Sequence, residues 1–303
     1  MRSSWSSFSR VMMDEGGSAM CVIMGPPSGS VARYLDPIRM LRNLWRHREL
    51  VLRLTAQEVV QRYRGSYLGI VWSFITPILM LSVYAFVFSM VFQARWGELA
   101  ATPRSGEFAL TLFAGLIPFG VFAEVVNRAP SIILSMPNYV KKVVFPLEIL
   151  PVVAVGSAVV HSLISGAILL LGSLLFLGYV SPAVVLLPLA YLPLVFLTLG
   201  LGWFLASLGV YVRDIGQAIG LVTQALFFLS PIFYPVSAMP EHLRFILYAN
   251  PLTAILTGFR RTMLWGAAPL WGTWAGLTLG TAVVALLGYA WFMQTKKGFA
   301  DVI

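Results

Sequence analysis

The sequence predicts an all-α integral membrane protein with six transmembrane helices, and three observations carry that expectation. Residues 149–212, 64 in a row, contain no Asp, Glu, Lys or Arg. A soluble domain carries about one charged residue in four, whereas an ionised side chain at mid-bilayer costs roughly 2.5–3.5 kcal/mol. Two spanning helices of about 20 residues and a turn fill such a run. Composition agrees: 58% of the 303 residues are hydrophobic, 11% are charged, and the mean hydropathy is +0.83. The basic residues are also unevenly placed. Ten of the 21 precede Tyr67, beside the first long apolar run, where cationic segments meet the anionic cytoplasmic leaflet. Topology, not nucleic-acid binding, thus accounts for the net charge of +9.

Residues 1–33, rich in Ser, Gly and Met, lack the apolar core of a signal peptide and read as a disordered tail, with Met20 or Met24 as alternative starts. A single membrane domain then occupies 34–303. Within 34–66 an interfacial helix is expected. Ile38, Leu41, Leu44 and Trp45 recur every three to four residues, with Arg39, Arg42, Arg46 and Arg48 between them. The spans fall at about 69–92, 108–126, 149–177, 182–212, 215–236 and 270–293, with GYVSP at 178–182 as the turn that divides the long uncharged run. With the N-terminus inside, 16 Lys and Arg lie on the inner side and 5 on the outer, which predicts two cytoplasmic termini. Residues 240–265 are too short and too broken to cross. Asn250-Pro251 interrupts them and Arg244, Arg260 and Arg261 bound them. An outer re-entrant helical hairpin is expected, its broken backbone covered by protein or lining a wet cavity.

Several chemistries are excluded. The lone Cys21 forms no internal disulfide or Cys-based metal cluster, and His47, His161 and His242 lack metal-ligand spacing. No lysine follows a glycine, so the phosphate-binding loop of an ATPase is missing, as are HExxH, CxxC and GxSxG. Asp14, Asp36, Asp214 and Asp301 all fall outside the span cores, leaving only Glu124 near the acidic position an ion-coupled transporter requires. His161, deep in the third span without an evident carboxylate partner, reads as a hydrogen-bonded packing residue. Arg213-Asp214 reads as a local charge pair at a tight turn, and Arg260 and Arg261 as arginines reaching outer-leaflet headgroups. The chain is expected to move something without being an enzyme.

Four segments narrow this further: RYRGSYLGIVWSFITP at 62–77, GLIPFGVF at 115–122, MPNYVKKVVFPLEILP at 136–151 and SPIFYPVSAMPEHLRFILYANPLTAI at 230–255. In this order they resemble the membrane subunit of type-2 ABC exporters for lipid-linked polysaccharides, the family of O-antigen, capsule and teichoic-acid permeases. The resemblance covers about 34–303. It implies a homodimer in the bacterial inner membrane, two separate nucleotide-binding subunits that hold ATP and Mg, and an undecaprenyl-diphosphate-linked glycan carried outward. It also implies a gate role for the interfacial helix, and a cytoplasmic coupling helix at about 131–145 bearing Ser135, Met136, Asn138, Tyr139, Lys141, Lys142 and Phe145. Those lysines either contact the partner or merely enforce topology. Glu148 matches an acidic position of the family, with capping of the third span as its expected role.

Arg62, Tyr63 and Arg64 stand where the interfacial helix meets the first span, at the depth of a carrier pyrophosphate. Arginine takes phosphate oxygens in pairs, and Gly65 and Gly69 let the backbone turn into the membrane; the bland alternative is snorkelling to lipid phosphate. Aromatic residues Trp72, Phe74, Tyr84, Phe86, Phe88, Phe227, Phe228, Phe233 and Tyr234 either line a sugar path or belong to lipid-facing belts. The rival readings are a type-2 permease for drugs or small lipids, a membrane glycosyltransferase or ligase, and an ion-coupled flippase.

Overall fold

The computed structural model describes residues 34–91, 106–136 and 145–302, and every regular element among them is helical. The tail at 1–33 lies outside the described residues. Helix α1 (Pro37–Arg46) starts at Asp36, whose carboxylate accepts from the N–H of Ile38 at 3.0 Å, with proline at the first helical position. The continuous interfacial segment expected here is in fact two helices. His47 separates α1 from α2 (Arg48–Gln61). Ile38, Leu41 and Trp45 face away from the protein while Met40 is buried. Gly65 and Gly69 turn the chain into the first span with φ of +91° and +51°, a left-handed backbone that only glycine adopts cheaply.

A 3₁₀ turn at Gly69–Val71 leads into α3 (Trp72–Tyr84), which passes into a π-helical stretch over Ala85–Val91. Then follow α4 (Glu107–Ile132), α5 (Leu150–Leu177), α6 (Leu187–Tyr211) and α7 (Ile215–Leu229). The hairpin helices are α8 (Arg244–Ala249) and α9 (Pro251–Met263), and the chain ends with α10 (Trp271–Thr295) and α11 (Phe299–Val302). Gly178, at φ +77°, stops α5 at the turn the sequence marks.

Among the described residues, five stretches are long and apolar enough to cross a membrane: Gly69–Phe88, Glu107–Ile132, Leu147–Leu177, Pro182–Tyr211 and Trp271–Gly298. The expected span at 215–236 is shorter. Its helix, α7, has 15 residues, about 22 Å at 1.5 Å per residue, against the ~30 Å of a hydrocarbon core. It stops at Ser230-Pro231, where the hairpin takes over. Asn250, between α8 and α9, donates to Ser230 Oγ at 3.1 Å and caps α9 by accepting from Leu252 N–H at 3.0 Å.

The helices alternate in direction between two faces. At one face α1 and α2 meet the end of α4, the start of α5 and the end of α10. At the other, Tyr179 donates to the Leu264 carbonyl (2.6 Å) and Ser181 to that of Thr262 (2.7 Å), tying the α5–α6 turn to the hairpin. Both described chain ends therefore lie on the face opposite the hairpin.

Helix α4 is the centre of the bundle, with 78% of its most apolar window buried against 11% for the first span. Between apolar helices in lipid, close packing replaces the hydrophobic drive. Small residues supply that closeness. A Cβ on Gly288 would stand 2.1 Å from the Gly200 carbonyl oxygen where α6 crosses α10, and one on Gly209 would stand 2.2 Å from that of Pro130 on α4. Trp203 fills the core near the face with the termini, donating to the Glu148 carbonyl at 2.9 Å and meeting the Tyr289 ring edge-on.

Candidate functional site

The corner where α2 turns into the first span gathers charges from two helices. Two ion pairs bridge α2 to α4: Arg62 with Glu124, and Glu58 with Arg128. Each helix contributes one acid and, four residues later, one base, and because the two helices run antiparallel these same-order pairs form a two-rung ladder. The pairs are partly exposed and each is worth about 0.2–1 kcal/mol. Of the residues singled out in the sequence, Arg62 is thus already engaged by a carboxylate. Arg64 has no described ion-pair partner and lines a notch of about 540 Å³ with Gln57, Gln61, Tyr63 and Gly69. Burial raises the pKa of the Tyr63 phenol above its ordinary value, with Arg62 opposing, so at pH 7 it remains a neutral hydroxyl.

The Tyr63 ring leans on His161, centroids 5.7 Å apart. His161 thus packs and hydrogen-bonds, as the sequence suggests. Its Nδ1 lies 2.8 Å from the Ser157 carbonyl, and its buried Nε2 has no hydrogen-bond partner among the described residues. It borders a small cavity of about 190 Å³ between α4 and α5 that also touches Glu124, Ser162 and Ser165.

A second polar hub lies on the same face. Glu148 is 4% exposed, accepts from Lys296 Nζ at 2.6 Å and from Asn43 Nδ2 at 3.0 Å, while Asn43 also donates to the Tyr289 hydroxyl. It joins α1, the start of α5 and the end of α10, a wider role than the expected capping. Sequence order hides this hub, because Asn43, Glu148, Tyr289 and Lys296 are far apart in the chain. The ladder had a signal: the E-x-x-x-R spacing at 58 and 62 recurs at 124 and 128.

Near the hairpin face, Arg260 corrects the sequence expectation. It is 2% exposed and reaches no headgroup. Its Nε donates to the Thr111 carbonyl (2.9 Å), Nη1 to that of Pro231 (2.7 Å) and Nη2 to that of Ile232 (3.0 Å). The break after α7 leaves carbonyls that a helix cannot satisfy, and a buried cation costs less than orphaned backbone there. Gly115 makes the room, since a Cβ would fall 2.5 Å from Nη2. Arg261 instead donates from Nε to the Ala268 carbonyl at 3.0 Å. The expected Arg213–Asp214 pair is absent among the described ion pairs, and Asp214 serves as the start of α7.

Comparison with known proteins decides the family. The family described as ABC-2 type transporter matches residues 49–264. The chain belongs to the ABC-2 type transporter family. The sequence is 29% identical over 225 residues to the O-antigen export system permease protein RfbA of Myxococcus xanthus, covering 74% of this chain and 83% of that protein. It is 24% identical over 269 residues to the RfbA of Klebsiella pneumoniae, covering 88% and 99% respectively. It is 21% identical over 253 residues to the polysialic acid transport protein KpsM of Escherichia coli, covering 80% and 92%.

In this ABC-2 transporter the expected coupling helix is described only at its ends. Ser135 donates to the Ile132 carbonyl at 2.9 Å as α4 finishes, and Met136 and Phe145 pack against the core. Asn138, Tyr139, Lys141 and Lys142 lie outside the described residues. The aromatic residues separate into two sets. Tyr84, Phe227, Phe228 and Phe233 join Phe88, Phe108 and Phe119 in one chain of ring contacts, with centroid distances from 5.0 Å for Phe227–Phe233 to 6.5 Å for Tyr84–Phe88. Tyr234 closes the turn below by donating to the Phe228 carbonyl at 2.9 Å. Trp72, Phe74 and Phe86 stand outside this cluster, exposed along the first span.

Proposed function

We propose that this chain is the permease subunit of an exporter for undecaprenyl-diphosphate-linked polysaccharide of the O-antigen kind. Two copies form the conduit in the bacterial inner membrane. A separate nucleotide-binding subunit, also in two copies, holds ATP and Mg and supplies the work. In this reading the face bearing the termini, α1 and α2 is cytoplasmic, the α1 stripe of Ile38, Leu41 and Trp45 lies in the interface, and α8–α9 is a re-entrant hairpin on the outer side. Glycan moves from the cytoplasmic to the outer face, its lipid anchor in the bilayer.

The observation that carries the proposal is the corner at Arg64. A guanidinium with no ion-pair partner among the described residues lines a notch at the entry to the first span, beside a neutral tyrosine hydroxyl and two glutamines. That set of donors suits a diphosphate, which arginine binds through paired hydrogen bonds. The first span and α7 also present broad apolar surface, which lipid, a second copy or cargo would cover. The ends of the 131–145 segment adjoin the cytoplasmic ends of α4 and α5, where movement of an ATPase would reach the bundle.

Complementation of a permease deletion tests this reading. Arg64→Ala is expected to lower surface glycan at least about tenfold, the effect of losing one charge-assisted contact, with Arg64→Lys intermediate and membrane abundance unchanged. Full export by the Arg62→Ala/Arg64→Ala double variant would remove the headgroup role. Intact surface glycan in the deletion strain, with loss of drug efflux, would replace the substrate class.

A further inference from the structure

We infer that a cleft on the hairpin side, between α6, α9 and α10, holds one structural molecule of anionic glycerophospholipid. The cleft measures about 370 Å³, within the range of small-molecule sites. Its walls are apolar: Ala190 and Pro193 from α6, Ala254 and Ile255 from α9, Leu277 from α10. Arg261 is the one charged residue that lines it. The Nε bond to the Ala268 carbonyl fixes the plane of that guanidinium, and no described carboxylate pairs with it. Both terminal nitrogens thus remain for phosphate oxygens, while the slot suits an acyl chain. Thr253, in the same wall, buries a hydroxyl with no hydrogen-bond partner among the described residues, a polar group of the sort that meets an ester carbonyl.

Two further observations favour lipid over a protein partner or the cargo. Tyr248, Trp265 and Trp271 are exposed around this face, as aromatic side chains are at headgroup depth. No lining residue comes from α3, α4 or α7, so the cleft opens on a flank away from the Arg64 notch and the aromatic cluster. The inference rests on the proposed orientation only in naming the outer leaflet.

Native mass spectrometry of the detergent-purified full chain tests it without any transport readout, so failure of the glycan assignment and failure of this site are separate results. Phosphatidylglycerol is expected to be retained about tenfold more tightly than phosphatidylcholine. Arg261→Gln should erase that preference and Arg261→Lys should keep most of it. Ala254→Phe, which fills the slot, should reduce retention of both lipids, each variant being checked for an unchanged gel-filtration profile. Arg244→Gln, on the same face but outside the cleft, should behave as wild type. Equal retention by Arg261→Gln and wild type would overturn the assignment, as would an equal loss in Arg244→Gln. Tighter retention of undecaprenyl phosphate than of phosphatidylglycerol would also overturn it, by giving the cleft to the carrier lipid.

Discussion

Arg260→Met keeps an unbranched, though shorter, side chain and removes the three nitrogens that donate to the Thr111, Pro231 and Ile232 carbonyls. Pro231 and Ile232 lie past the end of α7, so their carbonyls have no helical N–H to fall back on. Leaving a buried carbonyl unpaired costs about 1–3 kcal/mol, which puts the loss from these two at about 2–6 kcal/mol. Relief from burying a cation offsets part of this, so about 2–4 kcal/mol is expected. At about 2–4 °C per kcal/mol, even the lower end lowers the melting temperature by about 4–8 °C. Gly115→Ala should act through the same guanidinium, because its Cβ would stand 2.5 Å from Nη2. The assay is thermal unfolding of the detergent-purified protein, followed by fluorescence-detected gel filtration, for both single variants and the double. The double should lose clearly less than the sum, as groups in one network do. An Arg260→Met variant melting within about 1 °C of wild type, or strict additivity with Gly115→Ala, would refute the reasoning from unsatisfied carbonyls.

Three other outcomes are expected. In the α2–α4 ladder, Arg62→Glu and Glu124→Arg should each lower the melting temperature slightly, and the charge-swapped double should recover about 0.2–1 kcal/mol of coupling without recovering export if Arg62 also meets the headgroup. Gly288→Val should disrupt the α6–α10 crossing, where even a Cβ falls 2.1 Å from the Gly200 carbonyl oxygen; overpacking of about 1–3 kcal/mol or more should appear as low membrane yield and early melting, and normal yield would deny the close approach. Purified without its partner, the chain should hydrolyse no ATP above a no-protein control, and robust turnover would contradict a separate ATPase.

Long uncharged runs made most of the bundle legible, because the bilayer penalises charge regardless of tertiary context. The corner glycines were legible for a local reason, as a turn from interface to span needs the left-handed backbone that Gly65 and Gly69 adopt. Hydropathy misled where one segment completes another. Residues 215–236 are uncharged throughout, yet the helix ends at Leu229, and Asn250 and Arg260 from the hairpin satisfy polar groups beyond it. Arg260 was misread for the same reason. An arginine pair beside an apolar helix suggests snorkelling, and only the fold shows carbonyls of Thr111 and Pro231 converging on one member of the pair. The sequence offers Arg62 either to a headgroup or to lipid phosphate, but Glu124 pairs with it, which leaves Arg64 as the cation at the notch.

The central claim is ATP-driven passage of a lipid-linked glycan through copies of this chain. Reconstitution of the permease with its nucleotide-binding subunit into liposomes loaded with undecaprenyl-diphosphate-linked glycan tests it most directly, by protection of the glycan from an externally added glycosidase. With both subunits and the ATPase facing outward, the account predicts protection that appears only with Mg-ATP and is lost in Arg64→Ala. Protection that needs no ATP, or none despite active hydrolysis, would contradict it.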